Sequence, residues 1–185
     1  RWGTREVTVA GGVPGDLVEV WVGRRKRKGR HVGRLEQLLE QGIPRLEPRC
    51  PHFGVCGGCR WQNINYGEQL LLKQRMIENA LSLFGVAVET VVAPIASPEV
   101  FFYRNKMEFS FGRGFEGELQ LGLHVRQRYN RVFNLHSCQL QSELSNRVVR
   151  TVRDQAEALQ LPAYDLRSHE GLLRFLVVRD TKTRS

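Results

Sequence analysis

The chain has 185 residues, 41% of them hydrophobic and 25% charged, an ordinary globular composition long enough for one generous domain or two small ones. No apolar run approaches the roughly 20 residues that span a bilayer, and Arg1-Trp2-Gly3-Thr4 is no signal peptide, so a soluble, cytoplasmic protein is expected and a membrane span is set aside. Against 19 Asp plus Glu stand 28 Lys plus Arg, and the resulting charge of +9 favours a polyanionic partner, nucleic acid before membrane, with no protein partner called for.

Residues 5–9 and 17–22 are β-branched and extended in character, with turn chemistry between them at Gly11-Gly12 and Val13-Pro14-Gly15-Asp16. Arg24, Arg25, Lys26, Arg27, Lys28 and Arg30 then put six positive charges into seven residues, interrupted only by Gly29. Such a loop repels itself unless an anion relieves it. A nucleic-acid contact is the expected role, against a bland basic loop or a localisation signal. A third extended stretch runs from His31 to Leu39. Short strands, turns and a basic loop suggest that residues 1–48 are a small β-barrel of the oligonucleotide-binding kind, incomplete at its start.

Gly42 to Pro48 reads as a linker into a second domain, residues 49–185. Leu70, Ile77, Leu81 and Phe84 recur at helical spacing and predict an amphipathic helix from Gly67 to Phe84. Val86 to Val92 reads as a short strand and Ala93 to Pro98 as a loop. Segment 102–111 alternates, with Tyr103, Asn105, Met107, Phe109 and Phe111 on one face and Phe102, Arg104, Lys106, Glu108 and Ser110 on the other. Leu119, Leu121, Leu123 and Val125 predict the inner face of a returning strand, and Arg131 to Leu135 a third. Leu144, Val148, Val152 and Ala156 predict the buried stripe of a helix from Ser142 to Leu159. Leu172 to Asp180 reads as a buried strand. Antiparallel strands with flanking helices argue an α+β fold. The missing initiator Met, and a buried strand with no later partner, predict a fragment.

Three of the four cysteines lie in Cys50-Pro-His-Phe-Gly-Val-Cys56-Gly-Gly-Cys59, and the fourth, Cys138, is remote. Thiols this close do not all pair as disulfides, and a cytosolic setting disfavours disulfides. Four thiolates suit a tetrahedral zinc site or an iron–sulfur cluster. A compact three-cysteine loop with one distant ligand leans towards the cluster; zinc, or unrelated buried cysteines, remain open. Gly54, Gly57 and Gly58 let the backbone turn tightly and bring N–H groups towards a negative centre. His52 is read as a neighbour, not a ligand. Gly112-Arg-Gly114-Phe-Glu-Gly117 fits a dinucleotide-binding fingerprint by letter, but a strand follows it, so a hairpin turn is expected. Nothing among the remaining residues reads as a catalytic centre.

The cysteine loop, followed by Trp61-Gln62 and by Tyr66, Gln69, Leu70 and Lys73, resembles the iron–sulfur RNA (uracil-5-)-methyltransferases. So do Tyr103-Arg104-Asn105-Lys106-Met107-Glu108-Phe109 and Cys138, set just before a long helix. Val13-Pro14-Gly15-Asp16 resembles the turn of the TRAM domain, the RNA-binding barrel that precedes the loop in many members. The resemblance implies a [4Fe-4S] cluster on Cys50, Cys56, Cys59 and Cys138. The pairing of TRAM module and cluster is similar to the 23S ribosomal RNA enzymes rather than the bacterial transfer RNA enzyme. In that family a C-terminal Rossmann-type domain binds S-adenosylmethionine, and a cysteine there adds to C6 of the uracil. No residue here matches that domain, and all four cysteines are assigned to the cluster. The expectation is the RNA-recognition part of a methyltransferase, inactive alone.

On this reading the basic loop grips phosphates, and Arg104 and Lys106, two apart on one strand face, hold folded RNA. Trp61, Tyr66 and Phe53 offer faces for unpaired bases, and Lys73 adds a charge. The cluster is structural, tying loop 50–59 to Cys138. The competing classes are a stand-alone metal-dependent RNA-binding adaptor and an iron–sulfur redox protein.

Overall fold

The computed structural model describes residues 6–27 and 29–181, with the backbone alone for Arg25, Lys26 and Arg27. The chain is mixed α+β with two sheets and two helices, and it divides into two units. Arg1–Glu47 with Asn63–Ala96 form the first, and Pro48–Gln62 with Ser97–Ser185 the second.

In the first unit, β1 (Val7–Val9), β2 (Leu17–Arg27) and β3 (Arg30–Glu40) form a sheet in the order β1-β3-β2. The turn at Val13–Asp16 does not fold β1 back onto β2; β1 lies parallel to β3, with Val7 opposite His31. The expected basic loop is corrected too. Arg24–Arg27 belong to β2 and Arg30 opens β3, with Lys26 paired to His31 and Arg27 to Arg30. Two arms of 11 residues each carry the ladder to its tip, where Gly29 at φ +78° closes the turn. Lys28 lies outside the described residues. Behind the hairpin, the buried Asp16 carboxylate accepts the Val13 and Gly42 N–H groups at 2.7 and 3.0 Å and pairs with Arg45.

Helix α1 (Tyr66–Leu83) starts where the Asn65 side chain accepts the Gly67 N–H at 2.9 Å. Its buried residue is Leu72; Ile77 and Phe84 of the predicted stripe are 52% and 80% exposed. Spacing decides which side chains share a face, not whether an element covers that face. The strand expected over 86–92 does not form. Val86, Val88 and Val92 are exposed, and a strand with no neighbour has nowhere to send its backbone hydrogen bonds.

The second unit carries β4 (Lys106–Arg113), β5 (Leu119–Val125), β6 (Arg128–Asn134) and β7 (Phe175–Arg179), antiparallel in the order β6-β5-β4-β7. Met107, Phe109 and Phe111 point inwards as their alternation predicts, against Leu121, Leu135, Val149 and Ala156. The glycine-rich segment ends β4 with Gly112 and Arg113 and turns into β5 over 114–118, a hairpin in which Gly114 N–H donates to Glu118 O at 2.9 Å. Helix α2 (Glu143–Ala158) is capped by Ser142, whose Oγ accepts the Ser145 N–H at 3.0 Å and itself bonds Asp180. It buries Ser145, Asn146, Val149 and Ala156, whereas Leu144 and Val148 are 53% and 36% exposed. The predicted stripe holds in its C-terminal half, where Val152 packs on the core and Ala156 is buried. It is one position out of phase in its N-terminal half, where Ser145 and Val149 are buried instead of Leu144 and Val148. Strand β7 is the outermost strand of this sheet among the described residues and is half-buried, with Leu176 and Val178 inwards and Phe175 and Val177 exposed. No helix among the described residues is long and apolar enough to cross a membrane.

Candidate metal centre

The loop from Cys50 to Cys59 folds on itself before it meets anything else. Phe53 N–H donates to Cys50 O at 3.0 Å, and the N–H groups of Val55 and Cys56 share His52 O at 3.2 and 2.8 Å. Its middle then docks along the end of β5. Cys56 lies opposite Val125, Gly57 N–H donates to His124 O at 3.1 Å, and Arg126 N–H to Val55 O at 2.7 Å. From the other side comes the segment after β6. His136 N–H donates to His52 Nε2 at 3.1 Å, and the two imidazoles stack with centroids 5.6 Å apart. Burial, followed by the nearby His136, pushes the His52 imidazole below its ordinary pKa, so it stays neutral and keeps a lone pair for that bond.

These ties bring Cys138 to the loop although nearly eighty residues separate it from Cys59. All four cysteines carry free thiols and line one cavity of about 280 Å³ inside the second unit. Met107, Leu123, Leu135 and Leu140 supply apolar walls. Burial pushes the Cys56 and Cys138 thiols up, and the neighbouring Cys50 and Cys59 push the same way. Backbone N–H groups oppose this, those of Gly58 and Cys59 at the Cys56 sulfur and those of Leu140 and Gln141 at the Cys138 sulfur. Donors aimed at sulfur are of most use to a thiolate, and crowded thiolates need a cation among them. The donor set therefore fits a thiophilic metal centre. Among the described residues no group of three or more His, Cys, Asp or Glu is arranged to hold a metal ion as it stands. The thiols border a space; they do not converge on a point.

Two side-chain amides to which sequence reasoning gave no role hold this arrangement. Gln62 accepts the Cys50 N–H at 3.1 Å and donates to the Cys59 sulfur at 3.4 Å. Asn146, buried on α2, accepts the Cys138 N–H and the Gln141 side-chain amide, both at 2.8 Å, and donates to Cys138 O at 3.1 Å. A polar residue out of phase with the predicted stripe of α2 was the available signal for Asn146. For Gln62 the signal was its place three residues after Cys59, in the Trp61-Gln62 pair that carries the family resemblance.

The residues expected to touch RNA do not gather at the cavity. Strand β4 begins at Lys106, so the alternation does not extend back to Arg104. Arg104 instead lines the cavity, its guanidinium 3.3 Å from the Met107 sulfur, while the exposed Lys106 sits on the opposite strand face from Met107. Phe53 lines the cavity and Trp61 is half-buried. Tyr66 opens α1 in the first unit, and Lys73 is exposed on the same helix. Arg24 is exposed on β2. Arg30 meets Glu6 at 3.2 Å with both side chains two-thirds exposed, a pair that contributes little and leaves the cation available.

No protein-family model matches the chain. It is 37% identical over 175 residues to a protein of Caldanaerobacter subterraneus subsp. tengcongensis named an uncharacterized RNA methyltransferase, covering 95% of this chain and 39% of that one. A protein of the same name from Bacteroides thetaiotaomicron is 34% identical over 185 residues, covering 92% and 40%. Another from Nitratidesulfovibrio vulgaris is 37% identical over 177 residues, covering 95% and 37%. The chain thus spans about two-fifths of the length of the curated relatives it matches. Its fold is similar to that of a Pyrococcus abyssi tRNA (uracil-54, C5)-methyltransferase solved with S-adenosyl-L-homocysteine. That likeness has a TM-score of 0.65 at 24% identity and covers 94% of this chain and 38% of the other.

Proposed function

We propose that these residues are the RNA-recognition part of an S-adenosylmethionine-dependent RNA (uracil-5-)-methyltransferase acting on ribosomal RNA, built around a [4Fe-4S] cluster on Cys50, Cys56, Cys59 and Cys138. One observation carries it: four free thiols, three from one loop and one from far along the chain, line a single cavity in a chain whose relatives are named RNA methyltransferases. A tetrahedral zinc ion with Zn–S bonds of about 2.3 Å would draw its sulfurs to within about 3.8 Å of one another. A cavity of about 280 Å³ bordered by the four cysteines suits a larger inorganic core.

When bound, the cluster supplies a covalent tie between loop 50–59 and Cys138, and the rest of the work belongs to side chains. The basic arms of β2 and β3 hold phosphates, within a TRAM-like module of residues 1–48. Residues 49–185 are the cluster-bearing domain on this reading, with Asn63–Ala96 grouping with the first unit. Arg104 adds a contact at the cavity, Trp61 one just after the cysteine loop and Lys106 one on the opposite face of β4, while Tyr66 and Lys73 contribute from α1. With all four thiols spent at the cavity, none is left to attack a uracil ring, so this stretch binds RNA without methylating it. The methyl donor and the attacking thiol are assigned to the part of the relatives that the chain does not match. Ribosomal RNA is the proposed target because the Val13–Asp16 turn, taken together with the cysteine loop, resembles the 23S ribosomal RNA enzymes of that family.

The test is iron, acid-labile sulfide and zinc per chain in protein purified without oxygen, followed by binding to 23S ribosomal RNA fragments and to transfer RNA over a salt series. About four irons and four sulfides, with tighter binding of the ribosomal fragments, is the expected result. Arg24→Glu with Arg30→Glu should flatten the salt dependence by about 0.7 in log–log slope for each phosphate no longer neutralised. One zinc without sulfide would overturn the cluster, and equal or tighter transfer RNA binding would overturn the ribosomal assignment.

A further inference from the structure

We propose that Gln62 is the positioning residue of the four-thiol cavity, one side chain that fastens both ends of loop 50–59 and tunes the Cys59 sulfur. Its Oε1 accepts the Cys50 N–H at 3.1 Å while its Nε2 donates to the Cys59 Sγ at 3.4 Å. The other ties hold the loop's interior, with Val55, Cys56 and Gly57 at β5 and His52 against His136, or fasten one end to that interior, Phe53 N–H to Cys50 O and Cys59 N–H to the Cys56 sulfur. The first and last cysteines are joined through Gln62. A primary amide is the group that does this, because it carries an acceptor and a donor in one plane. Glutamate in the same shape keeps the acceptor for Cys50 but turns a lone pair, and a charge, towards sulfur. Leucine removes both hydrogen bonds, and asparagine is one methylene short.

The tuning half rests on the cluster reading given above; the fastening half does not. Hydrogen bonds to the sulfurs are among the determinants of a cluster's reduction potential, because they stabilise the more negative, reduced state. Taking away the Nε2 donor and putting a carboxylate in its place therefore lowers the potential and weakens the hold on iron.

The experiment uses the whole chain, prepared without oxygen, as wild type, Gln62→Glu and Gln62→Leu. Exchange of the Cys50 backbone N–H reads the fastening: it should stay near the wild-type rate in Gln62→Glu and rise about tenfold in Gln62→Leu. The midpoint potential and the rate of iron loss to a chelator read the tuning. Gln62→Glu should fall in potential and lose iron several-fold faster, with its fold checked by unchanged exchange in β4. Wild-type potential and iron-loss rate in Gln62→Glu, or an unchanged Cys50 exchange rate in Gln62→Leu, overturns the assignment. If the wild-type chain binds no iron, the cluster reading fails by itself. The fastening role is then decided by Cys50 exchange alone, upheld by the rise and overturned without it.

Discussion

Asn146→Ala removes, in one truncation, every hydrogen bond by which α2 holds the Cys138 backbone. The amide is 1% exposed, accepts from the Cys138 N–H and the Gln141 Nε2 at 2.8 Å each, and donates to Cys138 O at 3.1 Å. Gln141 is equally buried, and its Oε1 has no hydrogen-bond partner among the described residues, so losing Asn146 leaves that whole amide unsatisfied. A buried donor or acceptor stripped of its partner costs about 1–3 kcal/mol. Three such groups, with some relief if a water enters the space vacated by the side chain, give about 3–5 kcal/mol, a large share of an ordinary domain's stability. The assay is urea unfolding of the metal-free protein under reductant, followed by tryptophan fluorescence and far-UV circular dichroism. Asn146→Asp serves as the shape control. It keeps an acceptor for the Cys138 N–H but sets a buried carboxylate against the Cys138 carbonyl, so it too is expected to be destabilised. A loss below about 1 kcal/mol in Asn146→Ala would refute the reasoning, since these hydrogen bonds would then be dispensable to the fold.

Three further outcomes follow from other parts of the structure. Asp16→Ala breaks the buried carboxylate's bonds to the Val13 and Gly42 N–H groups and to Arg45, and should cost about 3 kcal/mol, read by urea unfolding and by faster exchange of those two amides. Gly122→Ala would set a Cβ 2.1 Å from Phe133 O and 2.9 Å from Leu135 N, both backbone atoms beside β5. Strands β5 and β6 must part, at about 3 kcal/mol, and a urea midpoint equal to wild type would show that the strands do not approach so closely. In the metal-free protein, burial holds the Cys56 thiol above its ordinary pKa, so less thiolate is present at any given pH. Iodoacetamide should therefore alkylate Cys56 more slowly than a free cysteine at pH about 8, and the rate should keep climbing with pH beyond the range where a free thiol levels off. Alkylation at the free-cysteine rate would contradict the buried environment.

Where one stretch of chain contains the whole reason for its conformation, its letters sufficed. Met107, Phe109 and Phe111 alternate because a strand has a period of two, and they do face the core. Gly114 and Gly117 lie in a hairpin turn and Gly112 in the strand before it, because a second strand follows, whatever fingerprint the three glycines spell. The cysteine spacing marked the three loop thiols, and the count of four together with the family resemblance added Cys138; all four line the cavity. The errors arose where the reason lies in another part of the chain. The basic segment looked like a loop because its charges suggested solvent, yet β3 supplies a ladder that carries β2 through Arg27. The strand expected over 86–92 does not form, because no segment among the described residues pairs with it.

By itself, then, the sequence determined the α+β class, the strand alternation of β4 and β5, the sites of both helices and the identity of the clustered thiols, since each follows from local periodicity or residue chemistry. Tertiary structure alone decided that Ser145 and Val149 are buried in the first half of α2 in place of Leu144 and Val148, that β1 runs parallel to β3, and that Arg104 turns to the cavity while Lys106 does not. It alone chose Gln62 and Asn146 as the amides that hold the cysteines in place. Periodicity specifies a face and chemistry specifies a donor, but what lies opposite either one is set by segments distant in the chain, and only folding brings those together.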